Sequence, residues 1–149
     1  MDPVTIACAV IGITSHCMQT AKAISGLRDK YKNAGTTITA IYTELTVVSA
    51  SLGHIQGLIS TNPATLEDNF QSRPELQRTF DQALTGCVLI FSVLDDEVKK
   101  LCEPVGKGLL GRVAYLWKEE VMKDLLQQIR GQQTALSLLV QAFQMYVHS

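Results

Sequence analysis

The chain has 149 residues, with 13 Lys plus Arg against 14 Asp plus Glu, a formal net charge of −1 and a sequence pI of about 6.3. This near-balance disfavours both a strongly basic nucleic-acid module and a disordered acidic tail. The length suits one domain, 1–149, burying about 68–70% of its unfolded surface without disulfide or metal staples. Charged residues make up only 18% and hydrophobic ones 46%, with a mean hydropathy of +0.13, whereas ordinary soluble domains carry about 25% charge.

The start reads as a capped helix. Asp2 is a favoured N-cap residue, and Pro3 sits at the first helical position, where its missing N–H costs nothing. Ile6, Val10, Ile13, Cys17, Thr20, Ala21, Ile24 and Leu27 then recur at helical spacing and predict one buried stripe that ends near Gly26. At about 100° per residue, Val4, Ala7, Cys8, Ile11 and Met18 point away from that stripe, where a soluble helix would carry charge. No charged side chain occurs from Pro3 through Ala21. Such a segment suits a core helix packed on both faces. It also suits a helix at home in lipid, because its length of about 28 Å is near the roughly 30 Å hydrocarbon thickness of a bilayer. Thr5, Gly12, Thr14, Ser15, His16, Gln19 and Thr20 lower the gain on insertion, so several copies would have to shield one another's polar side chains. Just beyond, Lys22, Arg28, Lys30 and Lys32 outweigh Asp29, and each such charge contributes up to about 1 kcal/mol near anionic lipid.

In the second helix Ile38, Ile41, Leu45, Val48, Leu52, Ile55 and Ile59 alternate gaps of three and four, the seam of side-by-side helix packing. Glu44 is the one charged residue between Asn33 and Leu66. The helix is therefore expected to be enclosed on several sides, the alternative being a soft uncharged surface for a partner. Ser60 to Ser72, with Asn62, Pro63 and Asn69, reads as a loop containing at most one short helical turn. Pro74 opens a third helix whose stripe is Leu76, Phe80, Ala83, Leu84, Cys87, Val88, Phe91, Leu94, Val98 and Leu101. Pro104 and Gly106, Gly108 and Gly111 end it. Two further helical patterns follow: Arg112–Arg130 (Val113, Leu116, Trp117, Val121, Leu125, Ile129) and Gln132–Val147 (Leu136, Leu139, Val140, Phe143, Tyr146). Gly131 separates them, and a break near Lys118 fits the first. No run alternates with period two between hairpin turns, so the expected architecture is all-α, an antiparallel bundle of four to five helices.

Chemical motifs are sparse. Gly106, Gly108 and Gly111 have G-x-G-x-x-G spacing, but they follow a helix and Pro104, not a strand, and Lys107 lacks the Ser or Thr of a phosphate loop. Asp95, Asp96 and Glu97 diverge by about 100° per residue, and Lys99 and Lys100 are placed to pair with them. His16, His54 and His148 are isolated in sequence. Cys8, Cys17, Cys87 and Cys102 form no C-x-x-C pair, and the last three fall on apolar stripes as buried reduced thiols. With no secretory signal at the start, a reducing intracellular compartment is expected. Nothing calls for a cofactor, metal, nucleic acid, small-molecule substrate or enzyme activity.

The opening MDPVTIACAVIGITSHCMQTAKAISGL, the stretch Arg28-Asp29 to Lys32, and LGRVAYLWKEEVMKDLLQQIRGQQTALSLLVQAF together resemble the fungal HeLo-like N-terminal domain of STAND (NACHT and NB-ARC) receptors. The family is similar in architecture to the HeLo domains of fungal incompatibility proteins and to the bundle of necroptotic pseudokinases. The resemblance implies a cytoplasmic bundle that self-associates when a receptor module in cis or trans drives it and then permeabilises the plasma membrane. Its executing segment would be Pro3 to Ala21, with Pro3, Val4, Ile6, Ala7, Cys8, Val10, Ile11, Ile13 and Met18 entering lipid. Lys22, Arg28, Lys30 and Lys32 would meet anionic headgroups. The competing expectation is a docking module that uses the charge-poor helix around Leu45 to Ile59 and never enters lipid.

Overall fold

The computed structural model describes residues 3–102 and 116–147, with side chains from 5 to 102 and from 116 to 145. Its elements are α1 (Pro3–Ser25), a 3₁₀ turn (Lys32–Ala34), α2 (Gly35–Thr61), α3 (Pro63–Ser72), α4 (Pro74–Cys102) and α5 (Glu119–Val147). No strand occurs among the described residues, so the chain is an all-α helical bundle.

Each long helix buries the stripe that its apolar spacing dictates. The eight residues of the first stripe are buried, seven on α1 and Leu27 in the turn after it, including Thr20, whose hydroxyl donates to the His16 carbonyl at 3.0 Å and so enters the core satisfied. All seven seam residues of α2 are buried, each contributing roughly 1.5–3 kcal/mol by leaving water. α1 packs on α2 and α4, and α5 also packs on α2 and α4. The four long helices thus form a ring in the order α1, α2, α5, α4.

Cross-helix pairs give the directions. His16 meets Asp95 and Lys30 meets Leu101, so α1 and α4 run parallel. Thr37 meets Glu119, Glu44 meets Arg130 and His54 meets Gln144, so α2 and α5 are also parallel. Phe80 meets Phe143 while Cys87 meets Gln132, so α4 and α5 are antiparallel, and the short turn after α1 makes α2 antiparallel to it. The expected antiparallel arrangement therefore holds for helices consecutive in the ring's two hairpins, and two neighbouring pairs are parallel. The reason is α3: it contacts all four long helices and carries the chain across one end of the ring from α2 to the diagonal position of α4. Phe70 of α3 lies 6.0 Å from Phe80 and 6.1 Å from Phe143, closing that pole with an aromatic cluster.

Several expectations are corrected. Ser60 to Ser72 is not a loop: Pro63 starts α3, and Leu66 and Phe70, four residues apart, bury one short face. Gly131 does not divide two helices but lies inside α5, where packing on α2 and α4 outweighs its weak helix propensity. Helix α5 begins at Glu119, so Leu116 and Trp117 precede it, and Leu116 is exposed. Val88 and Val121 are exposed as well, and Ile90 and Met122 take the core places. α2 is not enclosed on several sides. Its outer face is open, and Thr43, Thr46 and Thr61 there donate to carbonyls one turn back at 2.8, 2.9 and 2.7 Å. Cys102 is exposed instead of buried. At Gly86 the Gln132 side chain of α5 lies directly over α4, since a Cβ there would sit 2.6 Å from Gln132 Nε2.

Candidate functional site

Helix α1 occupies one corner of the ring. Its inner stripe, with Ile6, Val10 and Ile13 among the residues expected to enter lipid, is covered by α2 and α4. Ala7 and Met18 are half-buried, whereas Cys8 and Ile11 are exposed. The side chains of Pro3 and Val4 lie outside the described residues. The outer face is consequently small and polar (Thr5, Gly12, Ser15, Gln19), and Ile11, 50% exposed, is its one large apolar residue among those described. Among the described residues no helix is long and apolar enough to cross a membrane.

Cys17 donates to the Leu45 carbonyl at 3.2 Å beneath α1, and burial pushes its thiol up to about 12, with nearby Cys87 adding to the rise. Burial also pushes the Cys87 thiol up, to about 11. Burial thus keeps both as neutral thiols at neutral pH, and the thiolate is the reactive form.

The four predicted cations lie at the pole opposite α3, and all are exposed. They are not equivalent. Lys30 Nζ donates to the Leu101 carbonyl at 2.7 Å, placing a cation where the α4 dipole is negative, and lies 5.5 Å from the Tyr31 ring centroid. Arg28 and Lys32 line a groove of about 520 Å³, and Lys22 is in the last turn of α1.

Sequence reasoning missed the rest of this pole. Tyr31 and Trp117 rings meet with centroids 5.8 Å apart. Together with Lys30, Lys32 and Lys123 they line a cleft of about 870 Å³. Glu119 accepts from both the Thr37 hydroxyl and the Trp117 indole N–H. The Thr37 bond is the main reason its carboxyl is held below the usual range, and the Trp117 bond acts in the same sense. Trp117 sits in sequence beside Lys118, Glu119 and Lys123, the one signal that could have marked it.

A second surface was also missed. Between α4 and α5, Leu76, Thr79, Ala135, Leu138 and Ala142 line a groove of about 350 Å³. Leu89 and Leu138 are 62% and 61% exposed, and Val93 and Met145 are exposed too. Charge is absent from Gln82 to Leu94 and from Gly131 to Val147, which would have pointed here.

The acidic triplet does not converge. Asp95 pairs with Lys99 at 2.9 Å and Glu97 with Lys100 at 3.7 Å. His16 lies near Asp95, and His54 Nε2 is 3.2 Å from Gln144 Nε2. Among the described residues no three His, Cys, Asp or Glu side chains are grouped to hold a metal ion. His148, Val113 and the Gly106, Lys107, Gly108 and Gly111 motif lie outside the described residues. Comparison with protein-family models, curated proteins and solved structures found no match to this chain.

Proposed function

We propose that the chain is a HeLo-like, non-catalytic signalling and effector domain of fungal immunity or regulated cell death. On this reading it rests in the cytoplasm, self-associates when a STAND receptor module in cis or trans activates it, and targets or permeabilises the plasma membrane through its first helix. The observation that carries the reading is α1 itself: a corner helix, charge-free from Pro3 to Ala21, with an apolar stripe against its neighbours and an open outer side.

Magnitudes decide what release requires. Freeing Ile6, Val10, Ile13 and Ile24 from the core costs roughly 6–12 kcal/mol at about 1.5–3 kcal/mol each. Lys22, Arg28 and Lys32 offset only about 3 kcal/mol through anionic lipid. Headgroup attraction alone cannot lift α1, so the remainder must come from lipid around the apolar stripe and from copies that cover the faces of α2 and α4 left behind. A helix too polar to span alone fits this need for several copies side by side.

The competing reading, a docking module without membrane activity, is favoured by the partly apolar α4–α5 groove, which Arg73 and Glu75 flank, and by the open outer face of α2. Leakage from anionic vesicles separates the two. The effector leaks dye when clustered, loses leakage on deletion of 1–21, and loses most of it when Lys22, Arg28 and Lys32 are changed to Glu, exposed positions that leave the fold intact. Clustering on anionic vesicles without leakage would favour the docking module.

A further inference from the structure

Arg78 and Asp96 of α4 are both exposed and stand 18 positions apart, about five turns at 3.6 residues each, so they share one line of the helix roughly 27 Å from each other. Neither is ion-paired among the described residues, since the neighbouring Lys99 and Lys100 close on Asp95 and Glu97. Between them the same side of α4 is neutral. Gln82 to Leu94 carries no charge, and Asp81 is half-buried with its Oδ1 enclosed. Near the middle, Leu89 lies about 20° from that line and Val93 about 60° from it, on the side of α5, and they are 62% and 50% exposed. A neutral, partly apolar strip with a cation at one end and an anion at the other is its own complement when turned end for end. We propose that this outer side of α4 is a homotypic interface, on which a second copy of the chain docks its own α4 antiparallel, with the two Leu89 side chains at the centre and an Arg78–Asp96 pair at each end.

The two-fold axis falls midway between the charges, level with Cys87, and Leu89 is about 3 Å along the helix from it, so the two leucines pack side by side. The charges also argue against an anionic lipid surface as the occupant, because Asp96 would face the headgroups. One helix face per copy is a small contact, below about 1,200 Å² in total, and exposed ion pairs add little, so the dimer is weak, with a Kd of about 10 μM to 1 mM. A contact of this strength leaves dilute chains monomeric and closes when tethering raises the effective concentration into the millimolar range. The interface gives the self-association proposed above its surface and rests on that part of the reading, not on entry of α1 into lipid.

Sedimentation equilibrium without lipid, from about 10 μM to about 1 mM, tests the interface, and wild type should pass from monomer towards dimer in that range. The axis repeats every change twice, so Arg78→Glu, Asp96→Arg and Leu89→Asp should each weaken the dimer about ten-fold, with melting temperatures near wild type because all three side chains are exposed. Arg78→Glu and Asp96→Arg combined in one chain reverse both ends together and should restore the dimer to within about three-fold of wild type. A wild type that stays monomeric throughout, a dimer untouched by Arg78→Glu, or a double variant as weak as the single ones overturns the interface. In a parallel arm, wild-type chains clustered through an unrelated fused oligomer are added to anionic vesicles. Leakage there, with no dimer in solution, would overturn the interface and leave the membrane reading standing. A dimer that obeys the charge swap while vesicles stay intact would overturn the membrane reading and leave the interface standing.

Discussion

Val48 and Ile11 are both large β-branched residues on uncharged stretches, and their surroundings give them opposite roles. Val48 is wholly buried in the α2 seam, whereas Ile11 is 50% exposed on the outside of α1. A carboxylate at the first site has no cation or donor to meet, so Val48→Asp should cost upwards of about 3 kcal/mol, a large part of the roughly 5–15 kcal/mol that holds a domain together. Ile11→Glu should stay within about 0.5 kcal/mol while weakening vesicle leakage. Urea unfolding of the pair checks this, and equal losses would place the outer side of α1 in the core. The seven-residue seam was fully legible, because gaps of three and four fix one face of a helix whatever packs on it. The lipid-entering set was legible only in part. Spacing put Ile6 and Val10 on one face and Ile11 on another, but only the positions of α2 and α4 show that the first two are covered at rest.

At the level of elements, long periodic segments were read correctly and short or interrupted ones were not. α1, α2 and α4 begin and end within a few residues of expectation, since Pro3 and Pro74 mark their starts and their stripes run for many turns. α3 was missed because Asn62, Pro63 and Asn69 signal a turn and only Leu66 and Phe70 mark its buried face. α5 was divided because Gly131 resembles a stop. Its position is exposed and helical, and nothing lies within 4 Å of an added Cβ. Gly131→Ala should therefore stabilise the domain by about 0.5–1 kcal/mol through helix propensity alone, raising the melting temperature by about 2–4 °C. A lower melting temperature would mean that α5 needs the glycine's freedom.

For the whole molecule, the ring is held by cross-helix ties that no single helix specifies. Glu119 joins the start of α5 to Thr37 of α2 and to Trp117, and its carboxyl is held below the usual range chiefly by the Thr37 hydroxyl. Its contribution is complete above the unfolded-state value of about 4.3 and is lost as pH falls through the lowered folded-state value. Wild type should thus lose more thermal stability between neutral pH and about pH 3 than Glu119→Gln, which has nothing to titrate there. Parallel acid melts of equal slope would remove Glu119 from the acid response. The α3 crossover has a related consequence. By carrying the chain to the diagonal position it sets α1 beside α4 and not beside α5, and so creates the His16–Asp95 contact.

The sequence by itself determined the helical class, the three longest apolar stripes and the scarcity of charge, because these follow from residue type and a repeat of 3.6. It also displayed both the charge-free first helix and the lysines behind it. Only the tertiary structure decided the ring order, the parallel pairs, the capping of α4 by Lys30, the Tyr31–Trp117 cleft and which apolar residues remain outside. Those depend on contacts between residues 28 to 90 positions apart, and periodicity along one helix carries no information about which face of another it will meet.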